Sequence, residues 1–182
     1  IVLIQPAASG HYYTDIPTIF EAIATDNEED SPFLYATWES ALDGNLGIDG
    51  SPDNDGHLIN STFLSQGEHL ITLTVTDNGG RSTEENVVIT VKGDNNDPSC
   101  SILLPEEGHL HLLGTQVDFS GQTQDPDVPV DLLTATWISD RDGELNSQTP
   151  DPNGNFSFSS SDLSQGAHDI SLTVTDEVGG SC

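Results

Sequence analysis

A chain of 182 residues has room for one or two domains that bury their own cores. Its 31 acidic against three basic side chains leave a formal charge of -28, which excludes a phosphate-reading surface, so nucleic acid is not an expected partner. No apolar run of about 18 residues could span a bilayer as a helix, and no basic start with an apolar stretch reads as a signal peptide. Direct membrane insertion is therefore not expected, and targeting and anchoring segments are expected elsewhere in a larger protein. So acidic a surface repels itself in dilute buffer, and its working environment should screen it with salt or neutralise it with divalent cations.

Taken in chain order, the elements are nearly all β. Ile1 to Gln5 is a short apolar run closed by Pro6, and Thr18 to Ala24 is a second mostly apolar run. After a polar loop, residues 33 to 40 place Phe33, Tyr35 and Thr37 on one face and Leu34, Ala36 and Trp38 on the other. Asp43 to Gly56 carries two Asp-Gly pairs among Asn and Pro residues and reads as turns with little core. His57 to Phe63 is a short strand, and Ser65-Gln66-Gly67 turns into a strand in which Ile71, Leu73 and Val75 alternate with Leu70, Thr72, Thr74 and Thr76. Asn78-Gly79-Gly80 leads to a closing strand over 85 to 92 and then to the acidic stretch GDNNDP.

The same order then returns. LSQGEHLITLTVTD at 64 to 77 reappears as LSQGAHDISLTVTD at 163 to 176, and a shift of 99 residues pairs 1 to 83 with 100 to 182, about 26 of some 83 pairs being identical. The chain thus divides into a first repeat at 1 to 92, a linker at 93 to 98 and a second repeat at 99 to 182. The second copy stops at Cys182, where its own closing strand would begin.

Both copies carry a strand Trp followed by a Ser and an Asp-Gly turn (TWESALDG, TWISDRDG), then L-x-x-G-x-H-x-I-x-L-x-V-T-D. This pattern resembles the PKD-like and immunoglobulin-like repeats of bacterial and archaeal surface proteins. The Asp and Phe that usually follow the PKD tryptophan are absent after Trp38 and Trp137, so the repeats are PKD-like relatives. The resemblance implies an all-β fold: two tandem immunoglobulin-like antiparallel β-sandwiches, the second without a closing strand. It also implies that Trp38 and Trp137 fill the space between sheets instead of forming a sugar-stacking platform.

In that topology the first strand and the last turn of each unit share one end, so Cys100 and Cys182 are expected to form a disulfide, the alternative being two free thiols. The same end should gather acidic residues: Asp94, Asn96, Asp97, Asp125, Asp127 and Asp176 for the second copy, and Asp26, Asn27, Glu28 and Asp77 for the first. Calcium takes six to eight oxygens from carboxylates, amides and carbonyls, and the DNNDP linker resembles the calcium-binding linkers of cadherins. Loop capping by the same aspartates is the competing reading.

No zinc-binding, nucleophile-elbow or phosphate-cradling motif occurs, and the aligned His69 and His168 read as turn or packing residues. Two sequons, at Asn60 and Asn155, permit glycosylation without requiring it. The sequence therefore points to a non-enzymatic, extracellular or cell-surface module with a structural or adhesive role, stiffened by calcium. Its expected partners are neighbouring repeats, and also a surface protein or polysaccharide. Two alternatives stand beside this: a carbohydrate- or protein-binding accessory module of a secreted enzyme, and a fibre subunit completed by a strand from an identical neighbour.

Overall fold

The computed structural model describes residues 1–28 and 30–182. It forms two compact units, Ile1–Asn95 and Asn96–Cys182, which divide between Asn95 and Asn96, inside the acidic linker.

The first unit contains β1 (Val2–Gln5), β2 (Tyr12–Tyr13), β3 (Thr18–Ile23), β4 (Tyr35–Ser40), β5 (Gly44–Asn45), β6 (His57–Thr62), β7 (Gly67–Thr76) and β8 (Ser82–Lys92). One sheet has the order β1-β3-β6 and the other β2-β8-β7-β4-β5. Every ladder is antiparallel except the two-residue pairing of β2 with β8. This is a β-sandwich whose core lies where the inward halves of the alternating strands meet. Thr18, Phe20 and Ala22 turn inward from β3, Ala36, Trp38 and Ser40 from β4, and His69, Ile71, Leu73 and Val75 from β7. Trp38 is wholly buried and meets Phe20 edge to face, the ring centroids 5.2 Å apart.

The second unit repeats the plan with β9 (Ser99–Leu104), β10 (Val117–Gln124), β11 (Thr134–Ser139), β12 (Gly143–Gln148), β13 (Asn155–Ser160) and β14 (Ile170–Thr175). Its sheets have the orders β9-β10-β13 and β14-β11-β12. Trp137 is again fully buried, beside Phe119, Phe156 and Phe158. β14 pairs with β11 along one edge, and along the other Val174 and Thr175 meet Cys182 and Ser181, the equivalents of the first two residues of β8.

Three sequence expectations change in detail. Residues 31 to 33 form a 3-10 turn, so the strand begins at Tyr35 and not at Phe33, although Phe33 and Tyr35 are exposed and Leu34 and Ala36 buried as the alternation requires. The turn-rich segment from Asp43 to Gly56 does contribute to the core: Leu46 and Ile48 pack against it, Pro52 is buried, and Asp49 Oδ1 accepts the Trp38 N–H at 3.0 Å. The 99-residue shift also slips by one over the short strand. Gly56 and Gly154 are equivalent, 98 residues apart, each at positive φ with its carbonyl accepting a bond from the end of the adjacent strand, Ala24 N–H at 2.9 Å and Thr123 N–H at 2.8 Å. A Cβ on either would run into that neighbouring carbonyl, so the conformation and the space both require glycine.

Candidate functional site

Two clusters recur in both units, one at each end of the sandwich. At the end opposite the first strand, the turn after β4 meets the approach to β7. Asp43 accepts bonds from the Ser65 N–H (2.9 Å) and the Ser65 hydroxyl. Ser40 Oγ accepts the N–H groups of Leu42 and Asp43 and lies 2.7 Å from His69 Nδ1. His69 Nε2 is 2.8 Å from the Ser65 carbonyl, which can only accept, so Nε2 carries the proton and Nδ1 accepts from Ser40.

Ser139, Asp142, Ser164 and His168 repeat this arrangement in the second unit. A Ser, a His and an Asp are thus assembled twice. Ser40 is 3% exposed and His69 fully buried, so the hydroxyl has no approach for a substrate, and the trio acts as a lock on two turns. The signal in the sequence was the recurrence of all four residues at matched positions, not of the His alone.

Burial raises the Asp43 carboxyl, but the two Ser65 bonds outweigh it and hold the group below its ordinary range. The Ser164 N–H leads the lowering at Asp142. Carboxyls held low in the folded state bind fewer protons there than in the unfolded chain. Their stabilisation is present above about pH 4 and is lost as pH falls through the lower folded values. D43N is expected to cost the first unit about 1–2 kcal/mol at pH 7 and to flatten its acid dependence below pH 4, both read from urea titrations across pH.

The other cluster lies where each unit begins. In the first unit Asp26 Oδ1 accepts the Glu28 N–H at 2.7 Å, and Asn27 is exposed. Asp77 accepts the Arg81 N–H and its Nε, both at 2.8 Å, and the same guanidinium reaches Glu28 Oε2 at 2.8 Å. Two of the expected ligands are thus held by a built-in cation. The Arg81 N–H leads in holding Asp77 low, and Glu28 and Asp77 together push the guanidinium up.

In the second unit the position of Arg81 is Gly180. Asp176, 7% exposed, accepts the Val178 and Gly180 N–H groups at 2.9 and 2.8 Å. Asp125 Oδ1 caps its loop through the N–H groups of Asp127 and Val128, while its Oδ2 is buried with no hydrogen-bond partner. Asp127 Oδ2 accepts two bonds from Asn96, at 2.6 and 3.0 Å, and Asp97 is exposed. Asp94 belongs to the first unit, where it accepts the Thr14 hydroxyl at 2.6 Å. Among the described residues no three His, Cys, Asp or Glu side chains come together in a metal-holding group.

At this end of the second unit Cys100 and Cys182 are joined in a disulfide, their Cα atoms 5.9 Å apart. Asn60 on β6 and Asn155 at the start of β13 are exposed, and their amides donate to the Ile48 carbonyl and to Asp151. Among the described residues no helix is long and apolar enough to cross a membrane.

No family model matches the chain, and no curated protein is similar to it in sequence. Solved structures are similar in fold. Fibronectin(III)-like modules of Clostridium thermocellum CbhA superpose with a TM-score of 0.72 at 13% identity, over 99% of this chain and 87% of that one. A calcium-stabilised, ice-binding adhesin of an Antarctic bacterium (TM-score 0.42, 16% identity, 100% of this chain and 46% of that one) and the D0-D1 domain of intimin (0.37, 9%, 93% and 89%) match too loosely to carry an argument. The first likeness and the strand orders above establish the fold: an immunoglobulin- and fibronectin-III-like β-sandwich, present twice.

Proposed function

We propose that this chain is a PKD-like spacer or adhesive segment of a larger surface or secreted protein, and that its second unit binds calcium where that unit begins. Tandem sandwiches with packed interiors add length and hold neighbours apart, a mechanical task that needs no reaction centre. The Cys100–Cys182 disulfide supports an oxidising, extracellular location. Burial of Trp38 and Trp137 leaves neither available as a sugar-stacking platform, which weakens the carbohydrate-binding alternative.

The observation that carries the calcium reading is the contrast at one position. Arg81 neutralises Asp77 and Glu28 in the first unit, whereas Gly180 brings no cation to their counterparts Asp176 and Asp127 in the second, the unit in which Asp125 Oδ2 is buried with no hydrogen-bond partner. Asp125, Asp127 and Asp176 supply carboxylates there, with Asn96 and Asp97 as further oxygen donors. Calcium tolerates such a set and completes its shell with carbonyl oxygens and water. Scanning calorimetry in millimolar calcium and in excess chelator, at fixed ionic strength, tests this. Calcium at a hundred times its Kd is expected to stabilise the second unit by about 2.7 kcal/mol and to leave the first unchanged. D125N, which keeps the loop cap, is expected to abolish the gain. Equal melting in both conditions would leave Asp125, Asp127 and Asp176 as loop caps alone.

A further inference from the structure

Each unit carries a three-stranded sheet of matching register, so the outward faces of the two can be compared position by position. In the first unit Val2 and Ile4 point outward from β1, Ile19, Glu21 and Ile23 from β3, and His57, Ile59 and Ser61 from β6, while Phe20, Ala22 and Leu58 fill the core. Ile59 is 65% exposed, Val2 59% and Ile19 54%. The ladders place Glu21 opposite Ile59, and Ile23 between Val2 and His57. One carboxylate and one imidazole thus stand diagonally across from each other in a largely branched aliphatic surface.

The second unit shows that the fold does not require such a surface. At the matching positions of β9, β10 and β13 stand Ser101, Asp118, Ser120, Gln122, Asn155 and Ser157. Asp118 accepts the Ser159 hydroxyl at 2.7 Å and the Gln116 amide at 2.8 Å. Leu103, the counterpart of Ile4, is the one apolar residue on that face. Two copies of one sandwich therefore expose chemically opposite sheets, in a chain whose formal charge of -28 accords with the polar one.

We infer that the outward face of β1-β3-β6 is a docking surface for a second copy of this chain. A partner selected by charge would settle where carboxylates are dense, whereas this face carries Glu21 alone. The face is also complementary to itself. A twofold axis along the diagonal from Ile23 to Ile59 sets those residues against their own copies and brings each Glu21 carboxylate to the partner's His57, whose ring N–H it can accept. Strands about 4.8 Å apart and alternate residues about 6.7 Å apart keep the two groups within side-chain reach across the stack. Three short strands present roughly 300 Å² in plan. That is well below the ~800 Å² per partner of a stable complex, so the dimer is weak, with a Kd on the order of 100 µM. It tightens with salt, because the long-range force between two chains of charge -28 is repulsion.

Sedimentation velocity of the intact protein, from about 10 µM to about 1 mM in about 50 and 500 mM sodium chloride, tests this. A monomer–dimer equilibrium is expected, tighter by roughly tenfold at the higher salt. I19D/I59S installs the residues that the second unit holds at those positions, so the fold is kept, and association should weaken by about tenfold or more. H57E sets like charges face to face and should weaken it too, whereas H57K should strengthen it. Methyl resonances of Ile19, Ile23 and Ile59 should shift with protein concentration while that of buried Ile89 stays fixed. A chain that stays monomeric throughout, whose face would then serve an unlike partner, overturns the inference. So does association that ignores I19D/I59S, or that responds alike to H57E and H57K.

Discussion

Replacing both cysteines, as C100S/C182S, is expected to destabilise the second unit by roughly 4–5 kcal/mol while leaving the first unit unmoved. The disulfide joins residues 82 apart, and on the chain-entropy model closing a loop of that length removes about this much freedom from the unfolded state. For a domain of this size the loss corresponds to a fall in melting temperature of roughly 20 °C or more. The bond also ties Cys182, which pairs with Val174 on β14, to Cys100 on β9, and so links the two sheets of the unit. Calorimetry should resolve two transitions, only one of which moves, and reduction of the wild-type protein should reproduce the variant. If the two transitions shift together, or neither does, the bond is not an independent brace of the second unit.

The second large effect is expected from the tryptophans. Trp38 and Trp137 are each fully buried at the centre of a core and meet aromatic neighbours edge to face. Truncation to alanine removes that packing and leaves a cavity, at about 3–5 kcal/mol. Against a typical domain stability of about 5–15 kcal/mol, W38A should weaken the first unit without unfolding it. W137A should weaken the second unit likewise, where half-buried Ile170 and Leu172 pack against the same core. Phenylalanine is the informative control. Neither indole Nε1 has a hydrogen-bond partner, so W38F or W137F gives up volume but no bond and removes a buried unsatisfied donor. Its cost is expected to be about 1–2 kcal/mol. Urea titrations followed by circular dichroism distinguish these outcomes. A phenylalanine variant as damaging as the alanine one would mean that the indole N–H does make a bond that matters.

Much of the architecture was legible because a β-sandwich writes its pattern locally. The period-two alternation of Ile71, Leu73 and Val75 against Thr72, Thr74 and Thr76 states which face is buried before any partner strand is known. The duplication then made each assignment twice. The missed features were of another kind. The alternation gives Phe33 its outward face correctly, but the 3-10 turn at Ser31–Phe33 delays the strand to Tyr35, a boundary the pattern does not mark. Leu46 and Ile48 looked like loop residues because turn chemistry surrounds them, and only the path of that loop over the sandwich presses them to the core.

The candidate sites divide in the same way. The cysteine pair could be named from the shared end of a sandwich, since topology alone brings those ends together. The acidic residues could be gathered at that end but not told apart: Asp77 and Asp176 align in sequence, yet Arg81 grips the first, while the second accepts the N–H groups of Val178 and Gly180. That difference depends on where a long side chain reaches, which neither composition nor periodicity encodes.

By itself, then, the sequence determined the strand-forming faces, the twofold repetition and the net charge, because each depends on residues close together in the chain or on simple sums. The tertiary structure alone decided that Ser40, Asp43 and His69 form a closed lock and that an arginine fills one acidic loop cluster and not the other. Each of those depends on side chains distant in sequence meeting at distances that only the folded backbone sets.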